Sequence, residues 1–242
     1  MRLSVVIPMY NEARHARENL SCLITALGQA LPTEEFEVVA VNDGSKDDTK
    51  AIVSSMLNEY PCLRLCSYDA NKGKGGALKE GMTAAKGNFV LFTDCDLAYG
   101  TEQILHFLKA FEEGRGEVIL GSRALAQKGY QGYSLLRRLL SKGYLGLVKL
   151  VAGFRYSDSQ CGIKGFERSA AHRLFGALET NGFAFDLEIL LAVKEAGLSV
   201  YEMPVRIIRH GESTVHPARD AFKMFRDLLR IKKRRKNLKK GE

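Results

Sequence analysis

The stretch Phe89-Val90-Leu91-Phe92-Thr93-Asp94-Cys95-Asp96 decides how the chain is interpreted. Its four leading apolar residues predict a short buried strand, and two carboxylates follow where that strand ends. In an open α/β sheet, ligands bind beyond the carboxyl ends of the strands. Proteins usually hold Mg²⁺ or Mn²⁺ with one or two carboxylates and the phosphate oxygens of a substrate. Asp94 and Asp96 are therefore predicted metal ligands. The alternative is a polar strand end at which Asp96 only opens a turn.

Apolar runs and helical periodicity alternate on both sides of this stretch. This alternation predicts an α/β fold with a mostly parallel sheet and helices on both faces. The other predicted strands are Leu3–Pro8, Phe36–Val41, Leu63–Tyr68, Val118–Gly121, Ser157–Phe166 and Val200–Ile208. The predicted helices include Ala13–Leu31, Thr101–Glu113, Tyr133–Phe154, Arg168–Leu178, Phe185–Ala196 and Pro217–Leu238.

Composition limits the class of protein. The chain has 242 residues, 45% of them hydrophobic, which suits one large domain. Its five cysteines are odd in number and form no Cys-x-x-Cys pair, which predicts a reducing, cytosolic setting without disulfides or a zinc site. The N-terminus leads directly into a strand instead of a signal peptide, and no apolar run is long enough to span a bilayer.

The net charge of +8 comes from the C-terminal segment. Residues 219–242 contain eleven Lys and Arg against three acidic residues, so the rest of the chain is neutral. This confinement argues against a surface built for nucleic acid. We predict a domain at 1–216 followed by an amphipathic basic helical tail at 217–242. The tail either contacts an anionic membrane surface or packs on the domain with its apolar face, which contains Phe222, Phe225, Leu228 and Leu229.

The loops after the first three strands carry groups suited to a nucleotide-sugar. An aromatic ring and a carboxylate in the first loop can hold a nucleobase, and the second loop places a carboxylate at a turn. Glycines in the third loop allow a phosphate to approach the backbone at a helix N-terminus. The alternative for the third loop is a flexible connector. The candidate residues are Pro8, Tyr10, Asn11 and Glu12 in the first loop, Asp43 and Gly44 in the second, and Gly73 and Lys74 in the third.

Five segments in this order resemble the family 2 glycosyltransferases of the GT-A fold. They are Val5–Glu12, Val41–Thr49, Asn71–Ala77, Asp94–Asp96 and Gly121–Arg123. Within that family, three segments resemble the polyprenyl-phosphate sugar transferases, especially the dolichyl-phosphate β-glucosyltransferase branch. They are Asn71–Ala77, Asp158–Lys164 and Phe183–Glu188. The related mannosyltransferases are the nearest competitor, but they usually carry a Gln where this chain has Ala98.

The resemblance implies a role for each candidate residue. It divides the domain into a nucleotide-sugar-binding part at 1–121 and an acceptor-binding part at 122–216. The implied nucleoside pocket contains Tyr10, Glu12 and Asp43, and the implied ligands of the metal on the diphosphate are Asp94 and Asp96. The residues implied to bind the acceptor phosphate are Arg123, Arg137 and Ser141. These three and Asp96 are the implied catalytic residues, and Arg209 is implied to lie near the diphosphate.

The implied reaction is metal-dependent, inverting transfer of a hexose, expected to be glucose from UDP-glucose, to a polyprenyl or dolichyl phosphate. One alternative is mannosyl transfer from GDP-mannose. Another is transfer to a glycan or glycolipid hydroxyl, which needs a general base such as Asp158, Asp186 or Glu188. A remote alternative is a non-enzymatic nucleic-acid-binding protein. The expected location is the cytoplasmic face of a membrane, with peripheral attachment. A membrane-embedded protein is a further expected partner.

Overall fold

The structure is a computed structural model that describes residues 1–127, 143, 146, 153, 156–208 and 226–234. Seven strands and six helices are bounded within these ranges. The strands are β1 Leu3–Met9, β2 Phe36–Asp43, β3 Leu63–Tyr68, β4 Phe89–Phe92, β5 Val118–Ser122, β6 Lys164–Glu167 and β7 Val200–Pro204. The helices are α1 Ala16–Ala30, α2 Thr49–Met56, α3 Lys74–Ala84, α4 Thr101–Glu112, α5 Arg168–Gly176 and α6 Phe185–Glu195. A short 3₁₀ helix at Thr33–Glu35 leads into β2.

The strands form one sheet in the order β3-β2-β1-β4-β6-β5-β7. Strands β1 to β4 are parallel, and so is the β5–β7 pair. Strand β6 runs antiparallel to both β4 and β5. The predicted mostly parallel α/β sheet is confirmed, and β6 is its one reversed strand among the residues described.

Two apolar layers cover the two faces of the sheet. One layer contains side chains of α1, α2 and α4, such as Leu23, Met56 and Phe107. The other contains side chains of α3, α5 and α6, such as Leu78 and Phe175. Burying both faces explains why the central strands are apolar almost throughout.

Two predicted strands are shorter than expected. The segment before β6 is irregular because its backbone amides bond to side chains: Ser157 donates to Glu202 at 2.6 Å and Gln160 to Asp158 at 3.1 Å. Strand β7 ends at Pro204, a residue that has no amide hydrogen to donate to a ladder.

The described part of the C-terminal segment, 226–234, is helical. Its Leu228 is fully buried and Ile231 is 2% exposed, and both belong to the core layer of α3, α5 and α6. Leu229 stays exposed. This part of the tail packs on the domain, whereas Phe222, Phe225 and the predicted helix Tyr133–Phe154 (apart from Gly143, Gly146 and Gly153) lie outside the described residues. The proposed boundary at residue 216 stays a prediction.

Candidate functional site

The candidate site lies where β2, β1 and β4 end side by side. These strands are adjacent and parallel, so the loops that follow Met9, Asp43 and Phe92 meet at one edge of the sheet. The N-terminus of α3 joins them from the next crossover. The topology therefore brings the three polar loops to the same end of the sheet.

Lys74 places a positive charge beside the carboxylate pair. It is the first residue of α3, and its ammonium group forms an ion pair with Oδ1 of Asp94. Burial opposes the charged form of Lys74, but the carboxylate of Asp94, together with those of Asp186 and Asp96, outweighs burial and raises the pKa of Lys74. The lysine therefore stays charged next to the two aspartates.

Asp96 and Glu12 bring further negative charge to the same edge. Burial and then the neighbouring carboxylate of Asp94 raise the pKa of Asp96. Burial and then Asp96 raise the pKa of Glu12. Carboxylates that disfavour one another's ionisation in this way suit a site for a cation. Asp96 also opens a turn, because its Oδ1 accepts a hydrogen bond from the amide of Ala98 at 3.0 Å.

The residue after Asp96 has a strained backbone. Leu97 has φ of +49°, in the left-handed region that bulky side chains rarely adopt. Strain of this kind persists only where surrounding structure holds it, commonly at functional sites. Here the strained residue lies in the turn that directly follows Asp94 and Asp96.

These residues fit a divalent cation whose coordination shell is completed by oxygen atoms of a substrate. Among the described residues, no group of three or more His, Cys, Asp or Glu side chains could hold a metal by itself. Mg²⁺ and related ions commonly take one or two carboxylates together with substrate phosphates. Asp94 and Asp96 match that set.

Asp43 organises the second and third loops. Its carboxylate is buried and accepts hydrogen bonds from four groups. The donors are the Tyr68 hydroxyl at 2.8 Å, the Asn71 side-chain amide at 3.0 Å, and the backbone amides of Lys72 at 2.7 Å and Gly73 at 2.9 Å. A carboxylate has about four lone-pair positions, so a nucleobase would have to displace one of these donors. The predicted nucleoside contact of Asp43 stays a prediction.

The backbone amides of the third loop already have protein acceptors. Those of Lys72 and Gly73 point at Asp43, and those of Gly75 and Gly76 donate to the carbonyl oxygen of Asn181 at 2.7 and 3.3 Å. In this structure the four amides are therefore not directed at a phosphate, contrary to the sequence interpretation. The Lys74 side chain is the group of this loop that faces the carboxylate pair.

The first two loops are bound to each other. The Asn11 amide donates to the Ser45 hydroxyl at 3.0 Å, and the Glu12 amide donates to the Thr49 hydroxyl at 2.8 Å. Asn11 has φ of +56°, which asparagine tolerates better than most residues. Gly44, with φ of +64°, turns the chain against the backbone of Asn71. These contacts fix the backbone at Asn11 and Glu12, and the Glu12 carboxylate interacts electrostatically with Asp96.

The aromatic ring of the first loop remains available. Tyr10 is 42% exposed, and Pro8, two residues earlier and within β1, is partly buried. Stacking on a nucleobase needs such an exposed ring face. The nucleoside roles of Pro8, Tyr10 and Asn11 stay predictions.

Arg123 is engaged by Asp158. Its Nε and Nη2 donate to the two carboxylate oxygens at 2.7 and 2.9 Å, and both side chains are nearly buried. Burial alone would raise the pKa of Asp158, but the hydrogen bonds from Arg123 outweigh it and lower that pKa. Asp158 is thus a weak base.

The other two acidic residues considered as bases also have fixed partners. Asp186 accepts from the buried ammonium group of Lys164 at 2.7 Å. Glu188 accepts from the backbone amides of Glu179 at 3.3 Å and Thr180 at 3.0 Å, and it forms an ion pair with Arg234. Sequence reasoning did not assign Lys164 a role, although the segment containing it was singled out.

Arg137, Ser141 and Arg209 lie outside the described residues. Their assignment to the acceptor phosphate and the diphosphate rests on the sequence.

Residues 4–175 match the family described as glycosyl transferase family 2. This match covers well over half of the chain and includes every loop of the site. The chain belongs to glycosyl transferase family 2. The resemblance seen in the sequence is thereby confirmed, and the protein is a glycosyltransferase.

Curated relatives of this glycosyltransferase extend along nearly the whole chain. Glycosyltransferase AglD of Haloferax volcanii is 32% identical over 95% of the chain, which spans only 37% of that protein. Dolichyl-phosphate beta-glucosyltransferase of Dictyostelium discoideum is 30% identical, and the match covers 95% of the chain and 73% of the relative.

The fold of this glycosyltransferase is also seen in solved structures. Glucosyl-3-phosphoglycerate synthase from Mycobacterium tuberculosis, in complex with Mn²⁺, UDP-glucose and phosphoglyceric acid, superposes with a TM-score of 0.66. The sequences are 17% identical, and the match covers 95% of this chain and 78% of the other. This likeness supports the GT-A fold.

In this glycosyltransferase the segment Asp158–Lys164 packs directly on Asp94 through Gly162. A Cβ atom added to Gly162 would collide with Oδ2 of Asp94. The Gly162 amide donates to the Tyr99 hydroxyl at 3.1 Å. Sequence reasoning singled out the segment by resemblance but did not find this contact, because it joins residues about seventy positions apart.

Proposed function

We propose that this glycosyltransferase moves glucose from UDP-glucose to a polyprenyl or dolichyl phosphate, inverts the anomeric centre and depends on Mg²⁺ or Mn²⁺. The observation that carries the proposal is the cluster of Lys74, Asp94 and Asp96 at the carboxyl ends of the strands. A cation held by Asp94 and Asp96 would stabilise negative charge on the departing diphosphate. The glucosyl group and the dolichyl-phosphate acceptor are supported by the names of relatives such as the Dictyostelium enzyme.

The residues suit a phosphate acceptor better than a hydroxyl acceptor. A phosphate oxygen is already an anion near neutral pH, so it attacks the sugar carbon directly while UDP departs. A hydroxyl would need a general base. The three candidate bases, Asp158, Asp186 and Glu188, each bond to a cationic side chain instead. Arg123, Arg137 and Ser141 are proposed to bind the acceptor phosphate, and Arg209 the diphosphate.

The enzyme is proposed to work at the cytoplasmic face of a membrane. Within the described ranges, no helix is both long and apolar enough to cross a bilayer. The basic residues at the end of the chain supply a surface for anionic lipid, and a membrane-embedded partner protein is a further proposed contact.

The test is a transfer assay with radiolabelled donors. UDP-glucose, GDP-mannose and UDP-N-acetylglucosamine are each incubated with polyprenyl phosphate, with Mn²⁺ or with EDTA. We expect glucose to enter the lipid fraction only with the metal, and Asp96→Ala to abolish transfer. Asp48→Ala, which changes an exposed acid at the start of α2, should behave like the wild type. Transfer of mannose instead, or full activity in EDTA, would refute the proposal.

A further inference from the structure

The N-terminus of α3 is held by a loop from elsewhere in the chain. The first amides of a helix have no partner within it, and here the Asn181 carbonyl accepts from Gly75 at 2.7 Å and Gly76 at 3.3 Å. A side chain at Gly75 would collide with the carbonyl oxygen of Thr180. The loop between α5 and α6 therefore fixes the position of the turn that carries Lys74.

Glu188 holds that loop in turn. The carboxylate lies in the first turns of α6, and its side chain is 3% exposed. One oxygen accepts from the Glu179 amide at 3.3 Å and the other from the Thr180 amide at 3.0 Å. A buried carboxylate is costly unless it is paired and hydrogen-bonded. The loop is therefore strongly favoured in the position in which its two amides bond to Glu188.

Arg234 completes the arrangement from the end of the described chain. Its guanidinium group forms ion pairs with Glu188 and, at 2.9 Å, with Glu179. Leu228 and Ile231 seat the same helix in the core. Among the residues that the structure describes, the cation paired with Glu188 is thus supplied by the docked helix at 226–234.

We propose that Glu188 is a positioning residue for the nucleotide-sugar site and that Arg234 makes this support depend on docking of the C-terminal helix. The contacts run from Arg234 to Glu188, through the loop at 179–181 to α3, and from Lys74 to Asp94. Loss of the ion pair loosens the loop and then the turn of Lys74. The donor part of this inference rests on the proposed function, whereas the coupling of helix to loop does not.

The test compares Arg234→Ala and Arg234→Lys with a control on the same helix. Arg230 is 68% exposed and pairs only weakly with Asp227 at 3.6 Å, so Arg230→Ala is the matched control. Arg234→Ala should raise the KM for UDP-glucose about tenfold, as expected for a lost charged hydrogen bond, with the KM for polyprenyl phosphate unchanged. Arg234→Lys should recover part of the loss, and Glu188→Gln should resemble Arg234→Ala.

Amide hydrogen exchange gives a second readout that needs no substrate. The amides of Gly75, Gly76 and Thr180 should exchange faster in Arg234→Ala than in the wild type, while central strand amides keep their rates. Unchanged exchange at these three amides, or equal acceleration throughout the protein, would overturn the inference. If the wild type transfers no sugar but the local exchange still responds, the proposed function fails and the coupling stands.

Discussion

Arg123 and Asp158 form a two-point ion pair with nitrogen–oxygen distances of 2.7 and 2.9 Å. Both side chains are nearly buried, at 11% and 5% exposure. The pair joins the residue after β5 to the irregular segment before β6. A buried arginine held in this way presents a fixed geometry to any phosphate that reaches it, which is the property that the proposed acceptor role requires.

Replacement of Asp158 by Asn should destabilise the protein because it leaves the buried charge of Arg123 without its counter-ion. We expect a loss of about 3 kcal/mol in the free energy of unfolding, measured with urea, since breaking a buried pair costs roughly 3–5 kcal/mol. Glu59→Gln is the control, because Glu59 pairs with Arg17 at the surface and exposed pairs contribute at most about 1 kcal/mol. Equal losses in the two variants would contradict the assignment.

The effect of Asp158→Asn should also depend on pH in a defined direction. The folded-state pKa of Asp158 is lowered, so its contribution is present above the ordinary carboxyl pKa of about 3.9. The contribution is lost as the pH falls through the folded-state pKa. The stability difference between wild type and variant should thus be constant from about pH 7 to 5 and shrink below about pH 4. A difference that grows on acidification would disprove this pairing.

Gly162→Ala should weaken metal binding more than it weakens the fold. The new Cβ would meet the end of the flexible Asp94 side chain, which can move aside at little cost in stability but leaves its metal-binding orientation. We expect Mn²⁺ affinity in the presence of UDP, measured by electron paramagnetic resonance, to fall roughly tenfold, as for changes that reorient a ligand. Gly28→Ala is the control, because a Cβ atom added at Gly28 in α1 would meet no atom within 4 Å beyond the backbone of its own helix. Unchanged Mn²⁺ affinity in Gly162→Ala would contradict the contact.

Variants of the buried Lys164–Asp186 pair should show separately its effect on folding stability and its effect on donor binding. Lys164→Met alone should cost about 3–5 kcal/mol in unfolding free energy, because Asp186 is left buried and unpaired. The double variant Lys164→Met/Asp186→Leu should regain most of that loss. Asp186 also favours the charged form of Lys74, so the double variant should still bind UDP-glucose more weakly in isothermal titration. Wild-type donor affinity in a stable double variant would limit Asp186 to a structural role.

Arg137→Ala should impair use of the lipid acceptor more than use of the donor. Loss of a charged hydrogen bond to phosphate should raise the KM for polyprenyl phosphate roughly 10–100-fold and leave the KM for UDP-glucose nearly unchanged. Arg137→Lys should restore activity only in part, because a point charge binds phosphate oxygens less well than a planar fork. Arg138→Ala, at the neighbouring position, is the control. Equal changes in both KM values would remove Arg137 from the acceptor site.

The basic end of the chain should bind anionic vesicles independently of the docked helix. Truncation is a poor test, since Leu228 and Ile231 belong to the core. Changing Lys236, Lys239 and Lys240 to Glu should instead lower vesicle affinity at least roughly 100-fold, given about 1 kcal/mol for each basic residue. Sedimentation with phosphatidylserine vesicles measures this, and wild-type binding should fall as salt rises. Undiminished sedimentation of the triple variant would exclude the tail as the attachment point.

Local sequence patterns determined much of the fold. Apolar runs and helical periodicity located β1 to β5 and most helices. They could do so because a buried strand or helix face requires apolar residues at regular, nearby positions in the sequence. The place of Asp94 and Asp96 at a strand end followed from the same signal. The concentration of charge after residue 219 needed only counting.

Tertiary structure decided which polar groups are partners. The reversal of β6, the Arg123–Asp158 pair and the Lys74–Asp94 pair depend on contacts between residues that are far apart in the chain. The third loop, Asn71–Gly76, shows the reason most clearly. Its sequence predicts backbone amides that are free to bind a phosphate, yet four of these amides donate to Asp43 or to the Asn181 carbonyl. A hydrogen-bond donor has the same local sequence whichever acceptor it meets, so only the folded chain determines its partner.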